Sequence, residues 1–388
     1  MGREVMIVAG EASGDLHGAN LVQAMRSQEP SLRFCGMGGQ ALREAGVELL
    51  CDAAKLAVVG LVEVLSHLGD ILRARRALIE RMRARRPALL ILIDYPDFNL
   101  LLAKQAKKLG IPVFYYISPQ IWAWRSSRVH AIKRLTDRVA VILPFEQAFY
   151  AQYGYQVDFV GHPLMDSVKP GLSPAAFRDL HRIEPTRKLV GLLPGSRRKE
   201  VAALLPDFLA AAELLAKDQP QTYTFLIPQA PTISRALLEE HGLAAWRDRF
   251  DYRIITEDRY AMMAACDAAV AASGTVLLEL AILGVPAVAA YRVSPHTYFL
   301  GRLLIRSVRF FSLVNLIGER EIIPELLQKE VTPERIAQQL QAMLEDAQTR
   351  ASILAGLQEV KTRLGAPGAS ERAAALALDI LNRETANG

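Results

Sequence analysis

Two aspartates follow a short apolar run in the first half of the chain. The run Leu89–Ile93 predicts a buried strand, and Asp94 and Asp97 come after it. Ligands of open parallel sheets bind at the carboxyl ends of the strands, and burial raises the pKa of a carboxyl toward the range of a general base. Asp97 or Asn99 could instead cap a helix that begins near residue 100, whereas Asp94 ends the strand itself.

A cationic loop closes the first predicted strand of the second half. Gly195 lets the backbone approach a ligand closely, Ser196 is suited to capping the next helix, and Arg197 can donate two hydrogen bonds to phosphate oxygens. The spacing is not that of a Walker loop, because no Gly-Lys-Ser/Thr follows. Such a loop favours an anionic ligand over simple solvation.

A second strand-to-helix turn in the same half consists of Ser273, Gly274 and Thr275, with Glu279 one turn into the helix. Backbone N–H groups at a helix start can hold a diphosphate, and a carboxylate can accept hydrogen bonds from ribose hydroxyls. The hydroxyl residues alternatively serve only as caps. Two anion-receptive helix starts in one domain indicate a nucleotide more strongly than either does alone.

An aromatic loop, Ser118–Arg125, follows another predicted strand and contains Trp122 and Trp124. It forms either a wall for a sugar or acyl chain, or a small core beneath the loop. The sequence contains no D-x-D pair, no H-E-x-x-H, no G-x-S-x-G and no cysteine cluster, so we expect no metal site. Its three cysteines are expected to be reduced.

The elements that must position these residues alternate between short apolar strands and helices, which predicts an α/β fold with two doubly wound parallel sheets. The turn-rich stretch Lys169–Pro174 separates the two series. We therefore predict domains at 1–170 and 171–345, followed by C-terminal helices at 346–388. The predicted strands are Val5–Ala9, Arg33–Cys35, Leu89–Asp94, Val113–Ile117, Val139–Leu143, Phe159–Gly161, Leu189–Leu193, Thr224–Ile227, Arg253–Ile255, Ala268–Ala272 and Ala287–Ala290.

The composition is that of a packed globular protein: the 388 residues are 51% hydrophobic and 22% charged, with a net charge of +5. We see no signal peptide and no apolar run of about 18 residues, so we expect a cytoplasmic protein. The stretch from Ala57 to Arg86 is apolar at its start and rich in arginine at its end. It is either a crossover helix with a solvated arginine face or a segment that docks on an anionic bilayer.

Motifs spread over the chain resemble those of the lipid-A-disaccharide synthases, in the same order from about Val5 to Gln328. The matching runs are Val8–Asp15, Ile93–Asn99, Ser118–Arg125, Leu143–Glu146, Leu193–Arg197, Ala272–Thr275, Ser312–Leu316 and Glu325–Gln328. Each run alone is weak, and their combination is specific. At Val314 the family pattern has proline.

The resemblance implies a GT-B glycosyltransferase, with two Rossmann-like domains facing a central cleft. It implies that UDP-2,3-diacylglucosamine and 2,3-diacylglucosamine 1-phosphate (lipid X) give a β-1,6-linked disaccharide and UDP, with inversion and without a metal or other cofactor. It further implies a peripheral protein of the inner membrane's cytoplasmic leaflet, which contacts lipid through Ala57–Leu72. A C-terminal segment is expected to pack back on an N-terminal domain, with dimers formed by its exchange.

Carried over by position, Asp94 matches an essential aspartate of the family and Arg197 an essential arginine. Gly195, Ser196, Ser273, Gly274, Thr275, Glu279 and Asn315 are expected to bind the UDP-sugar. The resemblance leaves open whether Asp94 or Asp97 is the base. It also leaves open which of the basic side chains Arg125, Arg128 and Arg292 holds the acceptor phosphate.

Two other classes remain alternatives at this point. One is a related UDP-sugar enzyme such as a UDP-N-acetylglucosamine 2-epimerase, which would release a free epimer without an acceptor. The other is a non-catalytic UDP-sugar-binding membrane adaptor. Nucleic-acid binding is disfavoured, because the arginines cluster on one helix without interleaved aromatic residues.

Overall fold

A computed structural model describes residues 3–53, 68–246, 249–293 and 309–386. The chain divides into two compact units, Met1–Met165 with Leu364–Gly388, and Asp166–Arg363. Each unit contains one parallel sheet covered by helices, as the alternating sequence pattern predicts.

The N-terminal unit contains a seven-stranded parallel sheet in the order β3-β2-β1-β4-β5-β6-β7. Its strands are β1 Glu4–Ala9, β2 Arg33–Gly38, β3 Glu48–Asp52, β4 Leu89–Ile93, β5 Val113–Tyr116, β6 Arg138–Val141 and β7 Asp158–Phe159. Its helices are α1 Ala12–Gln28, α2 Gln40–Glu44, α3 Leu68–Arg85, α4 Pro96–Lys108, α5 Val129–Leu135 and α6 Glu146–Ala151, and α7 Leu164–Ser167 spans the boundary.

The winding of this sheet reverses beside its first strand. Strand β1 pairs with β2 on one side and with β4 on the other, with Ala9 opposite Ile93 at the carboxyl ends. The central strands β1 and β4 are buried along almost their whole length, which explains their continuous apolar sequences. The loops after β1 and β4 therefore flank the crevice where open α/β sheets bind ligands.

The C-terminal unit repeats this plan with six parallel strands in the order β10-β9-β8-β11-β12-β13. Its strands are β8 Lys188–Leu193, β9 Tyr223–Pro228, β10 Tyr252–Ile255, β11 Ala268–Ala272, β12 Ala287–Tyr291 and β13 Glu325–Leu327. Its helices are α8 Pro174–Leu180, α9 Arg198–Ala216, α10 Arg235–Glu240, α11 Arg259–Ala265, α12 Thr275–Leu283, α13 Leu313–Gly318, α14 Pro333–Glu345 and α15 Ala347–Arg363. The winding reverses between β8 and β11, at the two loops that the sequence marked as anion-receptive.

The final helix, α16 Ala369–Ala386, belongs to the N-terminal unit and packs against α1. Its buried face is rich in alanine, with Ala373, Ala374 and Ala377 fully buried, which allows the two helices to approach closely. The chain start contributes to the same junction, because Arg3 donates a hydrogen bond to the Leu381 carbonyl at 2.8 Å. Exchange of this helix in a dimer stays a prediction.

The boundaries between the units differ from the predicted ones at 170/171 and 345/346. The turn-rich stretch lies inside the C-terminal unit, because the Gly171 N–H donates to Asp258 at 2.7 Å and α8 packs on α11. Helix α15 also belongs there, since it packs on α12, α13 and α14 and buries Ile353, Leu357 and Val360. The chain therefore crosses between the units at residues 165/166 and 363/364.

All the predicted strands are present, within a few residues at each end. Two strands, β3 and β13, were missed. Of the predicted membrane segment Ala57–Leu72, residues 57–67 lie outside the described part, and residues 68–72 begin α3. Within the described ranges, no helix is long and apolar enough to cross a bilayer.

Candidate active site

Asp94 lies at the carboxyl end of β4, where the backbone turns sharply out of the sheet. Asp94 and Tyr95 both have left-handed backbone conformations, with φ of 43° and 46°. Such a conformation costs non-glycine residues about 1–2 kcal/mol each, so the surrounding structure must hold it. Consecutive residues of this kind are typical of functional sites rather than of ordinary connections.

Two side chains fix this turn through the main-chain carbonyl of Asp94. Asn99, which is fully buried, donates to this oxygen at 2.7 Å and to the Ile93 carbonyl at 3.1 Å. The Tyr115 hydroxyl donates to the same Asp94 oxygen at 2.5 Å. These bonds satisfy the Asp94 carbonyl and hold the turn, and Asp94 lines a cavity next to it.

The helix-capping alternative for Asp97 and Asn99 is wrong. Helix α4 begins at Pro96, with Tyr95 as its N-cap, so both residues lie within its first turns. Asn99 ties the end of β4 to α4. Asp97 is exposed and pairs with Arg128, and its second carboxylate oxygen lies 3.6 Å from Arg125.

The first cavity, of about 270 Å³, lies entirely within the N-terminal unit. Its charged lining consists of Asp94, Glu146, Arg125 and Arg128, and the loop after β5 completes it. The two tryptophans of that loop differ: Trp122 packs edge-on against Phe145, whereas Trp124 lines the cavity with the Arg125 guanidinium over its ring. The aromatic loop is thus both a small core and a cavity wall.

The two carboxyl groups that line this cavity both have raised pKa values. The pKa of Asp94 is raised to about 6, mainly by burial and then by the negative charge of Glu11, against the Tyr95 backbone N–H, which lowers it. The pKa of Glu146 is raised to about 8 by burial, although the backbone N–H groups of Leu143 and Ile142 and the Trp122 indole lower it. Both carboxyl groups therefore keep their protons to higher pH than an ordinary carboxyl group does, and Glu146 keeps its proton to higher pH than Asp94.

No role is predicted for Glu146 from the sequence. Its side chain is only 1% exposed, and one carboxyl oxygen accepts from the Leu143 N–H at 2.9 Å. Its position in the sequence could have indicated a role in the site. Glu146 follows β6 as the first residue of a helix, at the same edge of the sheet as Asp94. A glutamate at a helix start is otherwise read as a dipole-stabilising surface residue.

The second cavity, of about 640 Å³, lies within the C-terminal unit at the carboxyl ends of β8 and β11. Seven predicted residues line it: Gly195, Ser196, Arg197, Ser273, Gly274, Thr275 and Glu279. Helix α12 starts at Thr275 without a side-chain cap, so its first N–H groups are available to an anion. The structure thus brings together both turns that the sequence marked as anion-receptive.

The backbone donors of the first turn are occupied by a carboxylate of the same chain. Glu200 accepts from the N–H groups of Ser196 and Arg197 at 3.2 and 3.3 Å, and Arg197 pairs with its other oxygen at 2.8 Å. The φ of 108° at Gly195 allows this, and a Cβ there would lie 2.4 Å from the Glu200 carboxylate. The turn therefore holds a carboxylate of its own chain, and the binding of an anionic ligand there stays a prediction.

Glu279 is held by two residues that the sequence analysis did not single out. It is 6% exposed and accepts from Arg259 at 2.9 Å and from the Tyr260 hydroxyl at 3.2 Å. Burial raises the pKa of Glu279, and the charge of Arg259 opposes that shift. Arg259, the first residue of α11, lines the cavity and is a second cation there beside Arg197.

Asn315 is the predicted donor-binding residue that the structure does not bring to this cavity. It is fully buried in α13, and its amide nitrogen donates to the Ile323 carbonyl and to Glu325, both at 2.9 Å. Its amide oxygen accepts from the N–H groups of Ile322 and Ile323. These four bonds satisfy the amide and fix the loop before β13. Asn315 therefore supports the edge of the sheet.

Comparison with solved structures defines the fold. The calicheamicin glycosyltransferase CalG4 has a TM-score of 0.63 and 14% identity, with 98% of this chain and 99% of that chain covered. The UDP-GlcNAc 2-epimerase from Neisseria meningitidis, solved bound to UDP-GlcNAc, has a TM-score of 0.63 and 11% identity, with 98% and 100% covered. Two doubly wound parallel-sheet units with these neighbours define a GT-B fold.

The family follows from the sequence comparisons. A family model described as lipid-A-disaccharide synthetase matches residues 5–380. The lipid-A-disaccharide synthase of Geobacter metallireducens is 46% identical over 383 residues, which cover 98% of this chain and 98% of that protein. The chain belongs to the lipid-A-disaccharide synthase family and is a glycosyltransferase that uses a UDP-sugar. The epimerase alternative is not favoured, since that likeness concerns the fold alone.

Replacing Glu146 with glutamine should remove a pH dependence of stability. The native state keeps the Glu146 proton up to about pH 8, whereas the unfolded chain loses it near the ordinary glutamate value. Native stability therefore falls as pH rises through that window, by at most about 1.4 kcal/mol per pH unit. We expect the free energy of unfolding of Glu146→Gln, relative to wild type, to increase between pH 5 and 8 in urea titrations. A difference that stays constant over this range would show that Glu146 is ionised in the native state.

Proposed function

We propose that the protein transfers the sugar of UDP-2,3-diacylglucosamine to the 6-hydroxyl of 2,3-diacylglucosamine 1-phosphate (lipid X), giving the β-1,6-linked lipid A disaccharide and UDP. Family membership supports the reaction class. The roles of the two units are assigned from their two cavities. The first lies at the carboxyl ends of β4, β5 and β6 and contains Asp94, whose pKa is raised to about 6, and the second contains two anion-receptive helix starts.

In this proposal the C-terminal cavity holds the donor. The diphosphate replaces the Glu200 carboxylate at the N–H groups of Ser196 and Arg197, and it extends to the open start of α12. Glu279 keeps one oxygen on Arg259 and offers the other to a ribose hydroxyl. Arg197 and Arg259 stabilise the charge that grows on the leaving UDP, which is the role that a metal ion has in other enzymes.

The N-terminal cavity holds the acceptor, and Asp94 is the general base. With a pKa of about 6, Asp94 is ionised at neutral pH and is still basic enough to take the proton of a hydroxyl as that oxygen attacks the anomeric carbon. A single displacement from the face opposite UDP inverts the anomeric configuration. Asp97 is less suited to this role, because it is exposed and paired with Arg125 and Arg128.

The direct test combines purified protein with both lipids in detergent and EDTA, and follows UDP and disaccharide by mass spectrometry. Disaccharide with a β linkage would support the reaction, its inversion and its independence of metal. UDP release without disaccharide would point to hydrolysis or epimerisation, and no release would return the protein to the class of non-catalytic UDP-sugar-binding proteins.

The pH dependence of turnover should report the Asp94 carboxyl. Protonated Asp94 cannot accept a proton, so kcat/KM should fall as pH decreases through about 6. Replacing Glu11 with glutamine removes a negative neighbour and should move this acid limb to lower pH. Asp94→Asn should reduce turnover by about 10²-fold or more while UDP still binds, because the donor cavity lies in the other unit.

An active Asp94→Asn enzyme, or an acid limb that does not respond to Glu11→Gln, would remove Asp94 from the base role. Asp97→Asn is the matched comparison, since it removes a carboxylate only three residues away without touching the strained turn.

Arg197 and Glu200 meet at the turn after β8, and substitutions at the two positions should have opposite effects on the enzyme. Arg197→Ala should lower turnover by roughly 10²-fold, because its contact strengthens as charge develops on the diphosphate. Glu200→Gln retains a capping oxygen but removes the charge that competes with the diphosphate, so it should bind UDP more tightly in calorimetric titration. Weaker UDP binding by Glu200→Gln would mean that the carboxylate assists nucleotide binding instead.

We further propose that the protein works at the inner membrane's cytoplasmic surface, where both lipids reside. Helix α3 carries the exposed residues Leu72, Arg83 and Arg85, and the apolar stretch precedes it in sequence. Replacing Val58, Leu61, Val62 and Leu65 by serine should release the protein from anionic vesicles in a sedimentation assay without lowering its Tm. The same substitution at Leu180, an exposed leucine of the other unit, is the control for a general loss of apolar surface. A fall in Tm typical of core deletions would assign these residues to packing.

A further inference from the structure

We propose that Arg125 and Arg128 form the binding site for the anomeric phosphate of the acceptor, in the same cavity as Asp94. This inference rests on the proposed function and adds a ligand site for one end of the acceptor sugar. Both guanidinium groups line the cavity, and both approach the single carboxylate of Asp97.

Arg128 is a largely buried cation with an easily displaced partner. Its side chain is 16% exposed, whereas Asp97, with which it pairs, is 78% exposed. An ion pair with so exposed a carboxylate contributes about 1 kcal/mol or less, so a phosphate can replace Asp97 at little cost. Arginine donates in a planar fork that matches phosphate oxygens, which makes such a replacement favourable.

Arg125 brings a second positive charge to the same point. Its guanidinium lies 3.6 Å from the other oxygen of Asp97 and is held over the Trp124 ring at 4.4 Å. Two cations therefore share one anionic charge, whereas a phosphate monoester brings close to two negative charges. The charges of this pair match a phosphate monoester better than they match Asp97.

The size of the cavity agrees with a single sugar phosphate. Its volume of about 270 Å³ lies at the small end of ligand sites, and its lining contains both the Asp94 carboxyl and the two guanidinium groups. In an α-glucosamine 1-phosphate the anomeric phosphate and the 6-hydroxymethyl group are attached to the two carbons that flank the ring oxygen, on opposite faces of the ring. The arginines can therefore hold the phosphate while the hydroxyl meets Asp94.

The third basic candidate, Arg292, is excluded by its contacts. Its guanidinium pairs with Asp207 and donates to the carbonyl oxygens of Val331 and, at 2.9 Å, Ala203. These bonds tie the end of β12 to α9 and to the loop after β13. Arg292 therefore supports the C-terminal unit and does not line either cavity described above.

The test compares two acceptors that differ only in the anomeric phosphate, 2,3-diacylglucosamine 1-phosphate and 2,3-diacylglucosamine, at a fixed donor concentration. Arg128→Gln should raise KM for the phosphorylated acceptor by about tenfold or more and leave kcat/KM for the other unchanged. The Arg125→Gln, Arg128→Gln double variant should lose the preference for phosphate. Arg134→Gln, an exposed arginine of α5 that does not line the cavity, is the matched control.

Asp97→Asn gives an effect of opposite sign, because it removes the carboxylate that competes with the phosphate. It should lower KM for the phosphorylated acceptor, a result that a purely structural pair would not produce. If the acceptor without phosphate is not turned over, inhibition is measured instead of turnover. Glucosamine 1-phosphate should inhibit wild type more strongly than Arg128→Gln, whereas glucosamine should inhibit both equally.

Equal losses for both acceptors in Arg128→Gln, or an unchanged KM, would overturn the phosphate site. If wild type forms disaccharide while the variants keep the phosphate preference, only this inference fails. If wild type forms no disaccharide with either acceptor, the proposed function itself fails.

Discussion

A parallel sheet can be stable in water only when helices cover both of its faces, and this constraint determines where the protein can bind ligands. The chain meets it by winding in one direction from β1 and in the other from β4, and it repeats the reversal between β8 and β11. At each reversal the two neighbouring connections leave on opposite faces, so no helix covers the crevice between the strand ends. Asp94 follows one strand at such a crevice, and the turns at Gly195–Arg197 and Ser273–Thr275 follow two others.

Three carboxyl groups of the N-terminal unit differ in their acid–base properties because their surroundings differ. Asp94 is mostly buried beside another negative charge, which gives it a pKa of about 6 and the properties of a base. Glu146 is almost fully buried, which raises its pKa further, to about 8. Asp97 lies in solvent against two arginines and serves as their counterion.

The sequence predicted the architecture well because long apolar strands and turn residues carry most of the signal. The two missed strands are short or polar edge strands: β3 contains Glu48 and Asp52, and β13 has only three residues. The shift of the second crossing from residue 345 to residue 363 has a different origin, which is the packing of α15. The sequence of α15 predicts a helix but cannot show which unit covers its buried residues, because that depends on its contacts with α12, α13 and α14.

Within the site, sequence reasoning found the residues that stand next to strand ends and missed those that act through tertiary contacts. Seven of the residues predicted to bind the donor or act on it line the second cavity. By contrast, three features depend on elements brought together by folding. They are the burial of Glu146, the ion pair of Arg259 with Glu279, and the ion pairs of Arg125 and Arg128 with Asp97. The local sequence around Asn315 gave no indication that four hydrogen bonds would satisfy its amide.

The return of α16 to the first unit has a consequence for biosynthesis. The apolar face of α1 is covered by residues near position 377, and Arg3 at the chain start bonds to Leu381 near its end. During translation, the first 165 residues emerge from the ribosome long before the helix that completes them. Until α16 has been synthesised, the apolar face of α1 that it covers stays exposed, while the second unit is being synthesised. Folding of the first unit is thus coupled to synthesis of the chain as far as α16.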